Sequence, residues 1–320
     1  MIIPEYLKDG DIVGVTACSG GVGHKIPKYE KSLKNFEKYG FKVVETNNVR
    51  TSDYMSSDPR TRALELDSLV TNNNIKMINI ASGGDFLYEM LPYVNFDNIR
   101  NNIKWIGGSS DPTGLIYTIT TNLDIATIYT PCNMSGYDKD VLHQSYLDYF
   151  RMVRGYLVKQ YKSEYYENED GNFNIVNDWI TFGKAIDCSG RLIGGCIDVL
   201  KDIIGTKYDK TLSFIEKYKY DRIIWYFDVY SLESEVLYRT LLQFKDAGWF
   251  KYTDLIVIGK VCVPSSETGF TYEEAVNKAL SEYKVIYKFD VGHVKPSMTM
   301  INGMKARIVS NDKENYIEYI

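Results

Sequence analysis

The sequence predicts an α/β protein of two domains, and three features of the 320-residue chain lead to that class. Short apolar runs alternate with amphipathic stretches in the N-terminal half. A polar, acidic segment, YKSEYYENEDGNFNIVNDW, then interrupts the alternation, and the same rhythm resumes after it. Strands that alternate with helices are typical of a parallel sheet with helices on its faces. The predicted fold therefore has an N-terminal parallel-sheet domain and a C-terminal α/β domain.

Five apolar runs in the N-terminal domain are predicted strands, with helices between them. The runs are DIVGVTA (11–17), FKVVET (41–46), IKMINIA (75–81), KWIGG (104–108) and IATIYT (125–130). PKYEKSLKNFEKYG (27–40) is a predicted helix that Gly40 closes, and Ser57-Asp58 offers an N-cap before Pro59 for the next one. SGGDFLYEML is predicted to be a glycine turn that leads into a further helix.

We place the first domain at residues 1–155 and the second at residues 183–320, with a linker or an inserted hairpin at 156–182. The intervening segment is polar and rich in turn-forming residues. In the second domain, DRIIWYFDV, LIVIGKV and KVIYKFDV predict strands, and SEVLYRTLLQFKDAG and TYEEAVNKALSEY predict helices.

The composition is that of a globular protein and argues against several classes of function. The chain is 44% hydrophobic and 25% charged. Its net charge of -5 argues against nucleic-acid binding, which needs clustered lysine and arginine. No window holds about 18 consecutive apolar residues, and the start, MIIPEYLKDGDIVGV, lacks a signal-peptide pattern. We therefore expect neither a membrane span nor secretion.

The cysteines predict neither a disulfide framework nor a zinc site. They are odd in number and include no C-x-x-C pair: Cys18, Cys132, Cys188, Cys196 and Cys262. This pattern favours reduced thiols in the cytoplasm. We therefore expect a cytoplasmic protein that uses no metal and no other cofactor.

The stretch KWIGGSSDPTGLIYTI (104–119) combines a strand, a tight turn and a helix, and it contains adjacent serines, Ser109 and Ser110. One interpretation is a helix cap, because Gly, Ser and Asp are favoured in such turns. The other is a sharp elbow that presents a nucleophilic hydroxyl at a helix N-terminus, where backbone N–H groups stabilise an oxyanion. The local sequence leaves both open, since Asp111 and Pro112 depart from the G-x-S-x-G pattern.

A serine nucleophile needs a base, and the chain contains only three histidines. His24 lies in a glycine-rich turn and His143 in a polar helical stretch, whereas His293 follows the apolar run VIYKFDVG. Strand exits of parallel sheets collect catalytic groups, so position favours His293. Asp228 and Asp290 also follow predicted strands, where each is either a partner for a histidine or a turn residue.

Two glycine strings follow predicted strands. SGGVGHK (19–25) lacks the third glycine of a dinucleotide fingerprint and the GK[ST] ending of a P-loop, so it does not predict nucleotide binding. SGGDF (82–86) offers backbone amides that suit an anion or an oxyanion, and the alternative is a simple tight turn.

Taken in order, several segments resemble the LD-carboxypeptidase family of serine peptidases, which includes the microcin C immunity peptidases. GDIVGVTACSG resembles the family's opening strand and turn, and IASGGDFLYEMLPYVNFDNIRNNIKWIGGSSDPT resembles its most specific region, which ends in Ser-Asp-x-Thr. GRLIGGCIDVLKDIIGT is similar to the family's G-G-N-L segment. IIWYFDVYSLESEVLYRTLLQFKDAGWF resembles the stretch that carries the catalytic carboxylate, and VGHVKP the stretch that carries the histidine. The matching pieces run through nearly the whole chain.

The resemblance implies a catalytic triad of Ser110, Asp228 and His293, with the active site at the interface of the two domains. The Ser-Asp-x-Thr match selects Ser110, and His293 falls on the family histidine. Counting back from Arg239 places Asp228 where the family generally has glutamate. Because aspartate is one methylene shorter, the backbone or the histidine must lie closer to it for a hydrogen bond.

The resemblance also implies an oxyanion hole made by the backbone N–H groups of Asp111 and of Gly83 or Gly84. Two departures from the family pattern concern the substrate. Ser109 stands where an aromatic residue is usual, and Cys196 replaces the asparagine of the G-G-N-L segment.

The function implied by the resemblance is that of a serine carboxypeptidase-type hydrolase acting on a small peptide. Its substrate is either a murein tetrapeptide, cut at the L,D bond to release D-alanine in peptidoglycan recycling, or a peptidyl-nucleotide of the microcin C type. In the second case Trp179 is a candidate to stack on an adenine; otherwise it is a packing residue. The rival hypotheses are a non-catalytic peptide-binding homologue and a structural protein with a serine cap. A homodimer is one assembly that the sequence allows.

Overall fold

The computed structural model describes residues 1–320, and the chain divides into two compact units, Met1–Tyr156 and Leu157–Ile320. Each unit contains a sheet with parallel strands and helices between them, which confirms the predicted α/β class. None of the helices combines the length and the apolar character that crossing a membrane requires.

Five strands of the first unit form a parallel sheet, and all five lie within the predicted runs. The strands are β1 Ile12–Thr16, β2 Lys42–Glu45, β3 Ile75–Ile80, β4 Trp105–Gly108 and β5 Thr127–Tyr129. The helices are α1 Ile26–Lys38, α2 Pro59–Thr71, α3 Phe96–Asn101, α4 Thr113–Leu123 and α5 Gln144–Met152. The strand order is β5-β4-β3-β1-β2, so β4 lies between β3 and β5.

Helix α2 begins where the sequence predicted it. Asp58 is the N-cap, and its carboxylate accepts hydrogen bonds from the N–H groups of Arg60 and Thr61 at 3.0 and 3.1 Å. Pro59 occupies the start of the helix, where its missing N–H costs nothing. The cap residue and the proline together confirm this predicted boundary.

The helix predicted after the SGGDF turn is a short 3-10 helix, Tyr88–Tyr93, and not an α-helix. Pro92 lies inside it, lacks an N–H to donate, and disfavours the α conformation at Leu91. The backbone between the glycine turn and this helix is irregular.

The second unit contains ten strands, and seven of them form a larger, mixed sheet. Its strands are β6 Gln160–Tyr161, β7 Tyr165–Glu167, β8 Phe173–Val176, β9 Ile186–Cys196, β10 Ile223–Val229, β11 Thr253–Val261, β12 Val285–Phe289, β13 Met300–Asn302, β14 Lys305–Ser310 and β15 Asn315–Tyr319. Its helices are α6 Ile197–Ile203, α7 Thr211–Lys217, α8 Ser234–Asp246 and α9 Tyr272–Leu280. The order is β12-β11-β10-β9-β14-β15-β6, with β9 to β12 parallel and β14, β15 and β6 antiparallel.

The segment 156–182 contains three short strands. Strand β6 pairs with β15 at the edge of the large sheet, whereas β7 and β8 pair with each other as an antiparallel hairpin. The hairpin turns at Gly171, whose φ of +77° suits a residue without a side chain.

Strand β10 forms the centre of the second unit's core, since every one of its residues is buried. The ring of Trp225 stacks against Phe227 and against Trp249, at 5.6 Å in each case. Phe244 of α8 packs 4.4 Å from the Trp249 ring. These aromatic contacts hold β10 in place, so that Asp228 reaches the carboxyl edge of the sheet at a defined position.

A buried ion pair joins the exits of β11 and β12. Nζ of Lys260 lies 2.5 Å from Oδ1 of Asp290, and the two side chains are only 7% and 1% exposed. Burial lowers the pKa of Lys260, and the charge of Asp290 opposes that shift. Asp290 also accepts hydrogen bonds from the Asn177 side chain and the Ser163 N–H. The buried carboxylate is therefore both paired and hydrogen-bonded.

Replacing Lys260 by methionine is expected to destabilise the second unit by about 3 kcal/mol, because Asp290 stays buried but loses its counter-charge. Urea unfolding followed by tryptophan fluorescence measures the change, since Trp225 and Trp249 lie in this core. The exposed Lys313→Met serves as the control and should leave the unfolding midpoint unchanged. An unchanged midpoint for Lys260→Met would contradict the argument.

Candidate active site

Ser110 lies in a sharp turn between β4 and α4. Its φ of +68° is in the left-handed region, which residues other than glycine rarely adopt. Two hydrogen bonds hold the turn: the Ser110 N–H donates to the Tyr129 hydroxyl at 3.0 Å, and the Thr113 N–H donates to the Ser110 carbonyl at 2.9 Å. A serine held in such a conformation after a strand resembles the strained elbow that presents nucleophiles in hydrolases.

Neither serine of the turn caps helix α4. The N-cap is Pro112, and no side chain makes a capping hydrogen bond there. The interpretation of GSSD as a helix cap is therefore wrong. The conformation of Ser110 is retained without the stabilisation that a side-chain cap would provide.

Asn133 fixes the backbone of Ser109 from the neighbouring strand exit. The Ser109 N–H donates to Oδ1 of Asn133 at 2.9 Å, and Nδ2 of Asn133 donates to the Ser109 carbonyl at 2.8 Å. Sequence reasoning missed this role, because Asn133 stands 24 residues away. Its position in the loop that follows β5 was the available signal.

The glycine turn after β3 lies against Ser110. A Cβ placed on Gly83 would be 3.1 Å from Oγ of Ser110, so this close approach favours glycine. A Cβ on Gly84, whose φ is +146°, would lie 2.5 Å from Oγ of Ser19. The Gly20 N–H donates to the Gly83 carbonyl at 3.1 Å and holds the turn in place.

Three backbone amides near Ser110 remain available for a ligand. The N–H groups of Gly83, Gly84 and Asp111 donate to no acceptor within the chain. The family resemblance implies an oxyanion hole made by the Asp111 amide and by that of Gly83 or Gly84.

The side chain of Asp111 turns inward and ties the two turns together. Its carboxylate accepts the Leu87 N–H at 2.9 Å and a hydrogen bond from Ser19. Burial raises the pKa of Asp111, and these hydrogen bonds oppose that shift. Ser19 also accepts the Phe86 N–H at 3.1 Å, a structural role that the sequence analysis did not find.

Asp228 and His293 form a close pair in the second unit. Asp228 is fully buried at the end of β10, and its Oδ2 lies 2.8 Å from Nδ1 of His293. The oxygen lies off the direction of the ring N–H bond, a geometry common in ligand-free catalytic pairs. Oδ1 accepts the backbone N–H of His293 at 3.2 Å. With Nδ1 on the carboxylate, Nε2 is the nitrogen left to exchange a proton with substrate groups.

Gly292 makes this pair sterically feasible. Its φ is +117°, and a Cβ at this position would lie only 2.0 Å from Oδ1 of Asp228. The Gly292 N–H donates to Oγ of Ser297 at 2.9 Å. The ring of Tyr230 lies 4.6 Å from the His293 ring. The imidazole thus contacts both the carboxylate and an aromatic ring, while 22% of its side-chain surface stays exposed.

Cys196 and Asp198 lie on the strand exit beside Asp228. Cys196 pairs in register with Asp228 on the adjacent strand and is buried. Burial raises the pKa of its thiol well above the usual value, and the Asp228 charge adds to the shift. Asp198 accepts the N–H groups of Tyr230 and Ser231, each at 2.9 Å. Asp198 therefore fixes the turn after β10, a role that the sequence analysis missed.

The remaining candidates lie in other surroundings. Trp179 is 9% exposed, and its ring packs 4.3 Å from Phe289. His24 belongs to the 3-10 helix Gly23–Lys25 and is exposed, and His143 is the N-cap of α5. Asp290 pairs with Lys260 instead of a histidine. No group of three or more metal-ligating side chains is assembled in the chain.

Comparison with known proteins identifies the family. The model of the LD-carboxypeptidase N-terminal domain matches residues 13–130, and that of the C-terminal domain matches residues 189–308. A putative carboxypeptidase of Vibrio cholerae is 25% identical over 96% of this chain and 95% of its own length. A probable murein peptide carboxypeptidase of Bacillus subtilis is 24% identical over 98% of this chain and 94% of its own.

A solved structure shares the fold. The microcin C7 self-immunity protein in complex with aspartyl sulfamoyl adenosine superposes with a TM-score of 0.86 at 23% identity, covering 100% of this chain and 99% of that one. The two family models together match well over half of the residues, on both units. The chain therefore belongs to the LD-carboxypeptidase family, and it is a serine peptidase.

Proposed function

We propose that Ser110, Asp228 and His293 are the catalytic triad of a carboxypeptidase-type hydrolase. The observation that carries the proposal is the Asp228–His293 pair, with 2.8 Å between Oδ2 and Nδ1. The strained turn at Ser110 and the available amides around it support the assignment of the nucleophile. A hydroxyl, an oriented imidazole and backbone donors are the parts that acyl transfer requires.

In the proposed reaction, Oγ of Ser110 attacks the scissile amide carbonyl while Nε2 of His293 takes the hydroxyl proton. Asp228 holds the imidazole in the required tautomer and stabilises its positive charge. The N–H groups of Asp111 and of Gly83 or Gly84 bind the oxyanion of the tetrahedral intermediate. The imidazolium then protonates the leaving amine as the C–N bond breaks, and water releases the acyl group by the same steps.

The substrate proposed first is a murein tetrapeptide that loses its terminal D-alanine, a reaction of cytoplasmic peptidoglycan recycling. The similarity to the Bacillus subtilis probable murein peptide carboxypeptidase extends over nearly the full length of both chains and supports this substrate. The second candidate is a peptidyl-nucleotide, which the fold shared with the aspartyl sulfamoyl adenosine complex favours. Trp179 packs on Phe289, which supports a packing role for it over adenine stacking.

Incubation of the purified protein with both substrates, followed by mass spectrometry, tests the proposal. Release of D-alanine from the tetrapeptide supports the murein reaction, and release of an aminoacyl group from the nucleotide supports the alternative. Binding of either compound without any product would favour the non-catalytic homologue.

Ser110→Ala is expected to remove hydrolysis and labelling by a serine-directed fluorophosphonate, because the attacking oxygen is absent. The loss should reach on the order of 10⁴-fold in kcat or more. Product formation and labelling are measured on the same preparation, and circular dichroism checks that the fold is kept. Ser68→Ala, on the exposed face of α2, is the matched control and should behave as the wild type. Full activity of Ser110→Ala would exclude the triad.

Asp228→Glu is expected to lower kcat on the order of 100-fold, even though glutamate is the usual family residue. Oδ1 of Asp228 already lies against Gly292, where an added Cβ would be only 2.0 Å away. A longer side chain at position 228 therefore displaces the loop that carries His293. Steady-state kinetics measures the effect, with Asp312→Glu in an exposed loop as the control. Wild-type kcat in Asp228→Glu would show that the loop tolerates either carboxylate.

A further inference from the structure

Lys25 places an ammonium group beside the nucleophile turn without a carboxylate to pair with it. Its Nζ donates to Oγ of Ser82 at 2.9 Å, and the side chain is half-buried. The structure gives Lys25 no ion pair. Burial lowers its pKa, and the charge of Lys28 lowers it further. A half-buried cation that has no carboxylate partner gains free energy when an anion binds to it.

The neighbours of Lys25 locate it at the edge of the sheet where Ser110 lies. Ser82 follows β3, and Cys132 follows β5 and is near enough to influence the pKa of Lys25. Strand β4, which ends at the Ser110 turn, lies between those two strands. The residues next in sequence, Gly83 and Asn133, are the ones that contact the turn. The ammonium group is therefore linked to both strand exits that flank the nucleophile.

The substrate of a carboxypeptidase carries a negative charge close to the bond that is cut. The leaving residue ends in a free carboxylate, which lies a few bonds beyond the scissile carbonyl carbon. A nucleotide conjugate carries its anionic oxygens at the corresponding place on the leaving side. Both sources offer the same chemistry, an anionic oxygen group that accepts charge-assisted hydrogen bonds.

We propose that Lys25 binds the anionic oxygen group on the leaving part of the substrate, and so selects substrates that end in a free carboxylate or its nucleotide equivalent. The proposal rests on the proposed function, since it assigns a substrate group to the site of Ser110. Ser82 orients the ammonium by its hydrogen bond. Peptides whose chain continues past the leaving residue lack this anion and are poor substrates.

Binding to a Ser110→Ala protein tests Lys25 without depending on hydrolysis. Isothermal titration compares a murein tetrapeptide with a free terminal carboxylate, the same peptide as its terminal amide, and aspartyl sulfamoyl adenosine. Adding Lys25→Met should weaken binding of an anionic ligand about 10- to 100-fold, the range of a hydrogen bond to a charged group. The difference in affinity between acid and amide should then nearly vanish. Lys25→Arg should keep most of the preference.

Lys34→Met is the matched control, because Lys34 lies exposed on α1 without an ion pair, and it should keep the preference for the acid. A loss confined to the acid peptide assigns the site to the carboxylate, and a loss confined to the nucleoside assigns it to that anion. Unchanged binding of both anions, or no acid preference before the substitution, overturns the proposal. Absence of hydrolysis by the wild type would refute the proposed function and not this binding role.

A separate set of contacts concerns the loop that carries His293. The hairpin segment 162–177 holds this loop at both ends. At one end, Asp290 accepts hydrogen bonds from the Ser163 N–H at 2.9 Å and from the Asn177 side chain at 2.7 Å. At the other, the Lys295 N–H donates to Oε1 of Glu167 at 2.8 Å, and the Glu167 N–H donates to the Lys295 carbonyl at 2.8 Å.

The geometry points to Glu167 as a positioning residue for His293, acting through Lys295. Lys295 also donates from Nζ to the carbonyl of Gly292, at 3.0 Å. Gly292 is the residue that allows Asp228 to approach the histidine. Loss of the Glu167 carboxylate frees this end of the loop and lets the imidazole move away from Asp228.

Glu167→Ala should lower kcat about tenfold or more with little change in KM, because misplacing a catalytic group affects the chemical step. Glu167→Gln should restore kcat, since its amide oxygen still accepts the Lys295 N–H. The exposed Glu169→Ala is the control. The NMR signal of the His293 ring reports its position without turnover, and it has to be distinguished from only two other histidines. Wild-type kcat and an unshifted His293 signal in Glu167→Ala would overturn the role.

Discussion

A single steric and electrostatic constraint, the burial of the Asp228 carboxylate, determines the arrangement of the candidate site in the second unit. A fully buried carboxylate is costly unless hydrogen bonds and a partner ring surround it. The loop after β12 supplies both, through the backbone N–H and the imidazole of His293. The close approach leaves no space for a side chain on Gly292. The positions of Asp228, Gly292 and His293 therefore depend on one another.

In both units, the residues of the candidate site lie at the carboxyl ends of parallel strands. Parallel strands end at a common edge, so residues distant in sequence meet where those strands end. In the first unit Gly83, Ser110 and Asn133 follow β3, β4 and β5. In the second, the exits of four neighbouring strands bring Cys196 beside Asp228 and Lys260 beside Asp290. Each cluster thus combines the last residues of strands with the loops that follow them, and the strands set the positions of both.

The α/β class and the parallel strands other than β9 could be predicted, because buried strands are continuous apolar runs bounded by turn residues. Contacts between distant turns could not be predicted, since nothing local marks Ser19, Asn133 or Asp198 as hydrogen-bond partners of turns in the candidate site. The antiparallel strands β14 and β15 were also missed, because they lack a helix between them to reveal the rhythm. The helix after the SGGDF turn was predicted, but its 3-10 form, which contains Pro92, was not.

The aspartate at position 228 illustrates how a shorter side chain is accommodated. Relative to glutamate, its carboxylate lies one methylene closer to strand β10, so the histidine loop has to approach the strand. Oδ2 of Asp228 lies 2.8 Å from Nδ1 of His293, and Oδ1 accepts a hydrogen bond from the backbone N–H of His293. Only a glycine before His293 permits that approach. Asp228 and Gly292 share this space, so the size of one side chain restricts the size of the other. A substitution at either position therefore affects the packing of both.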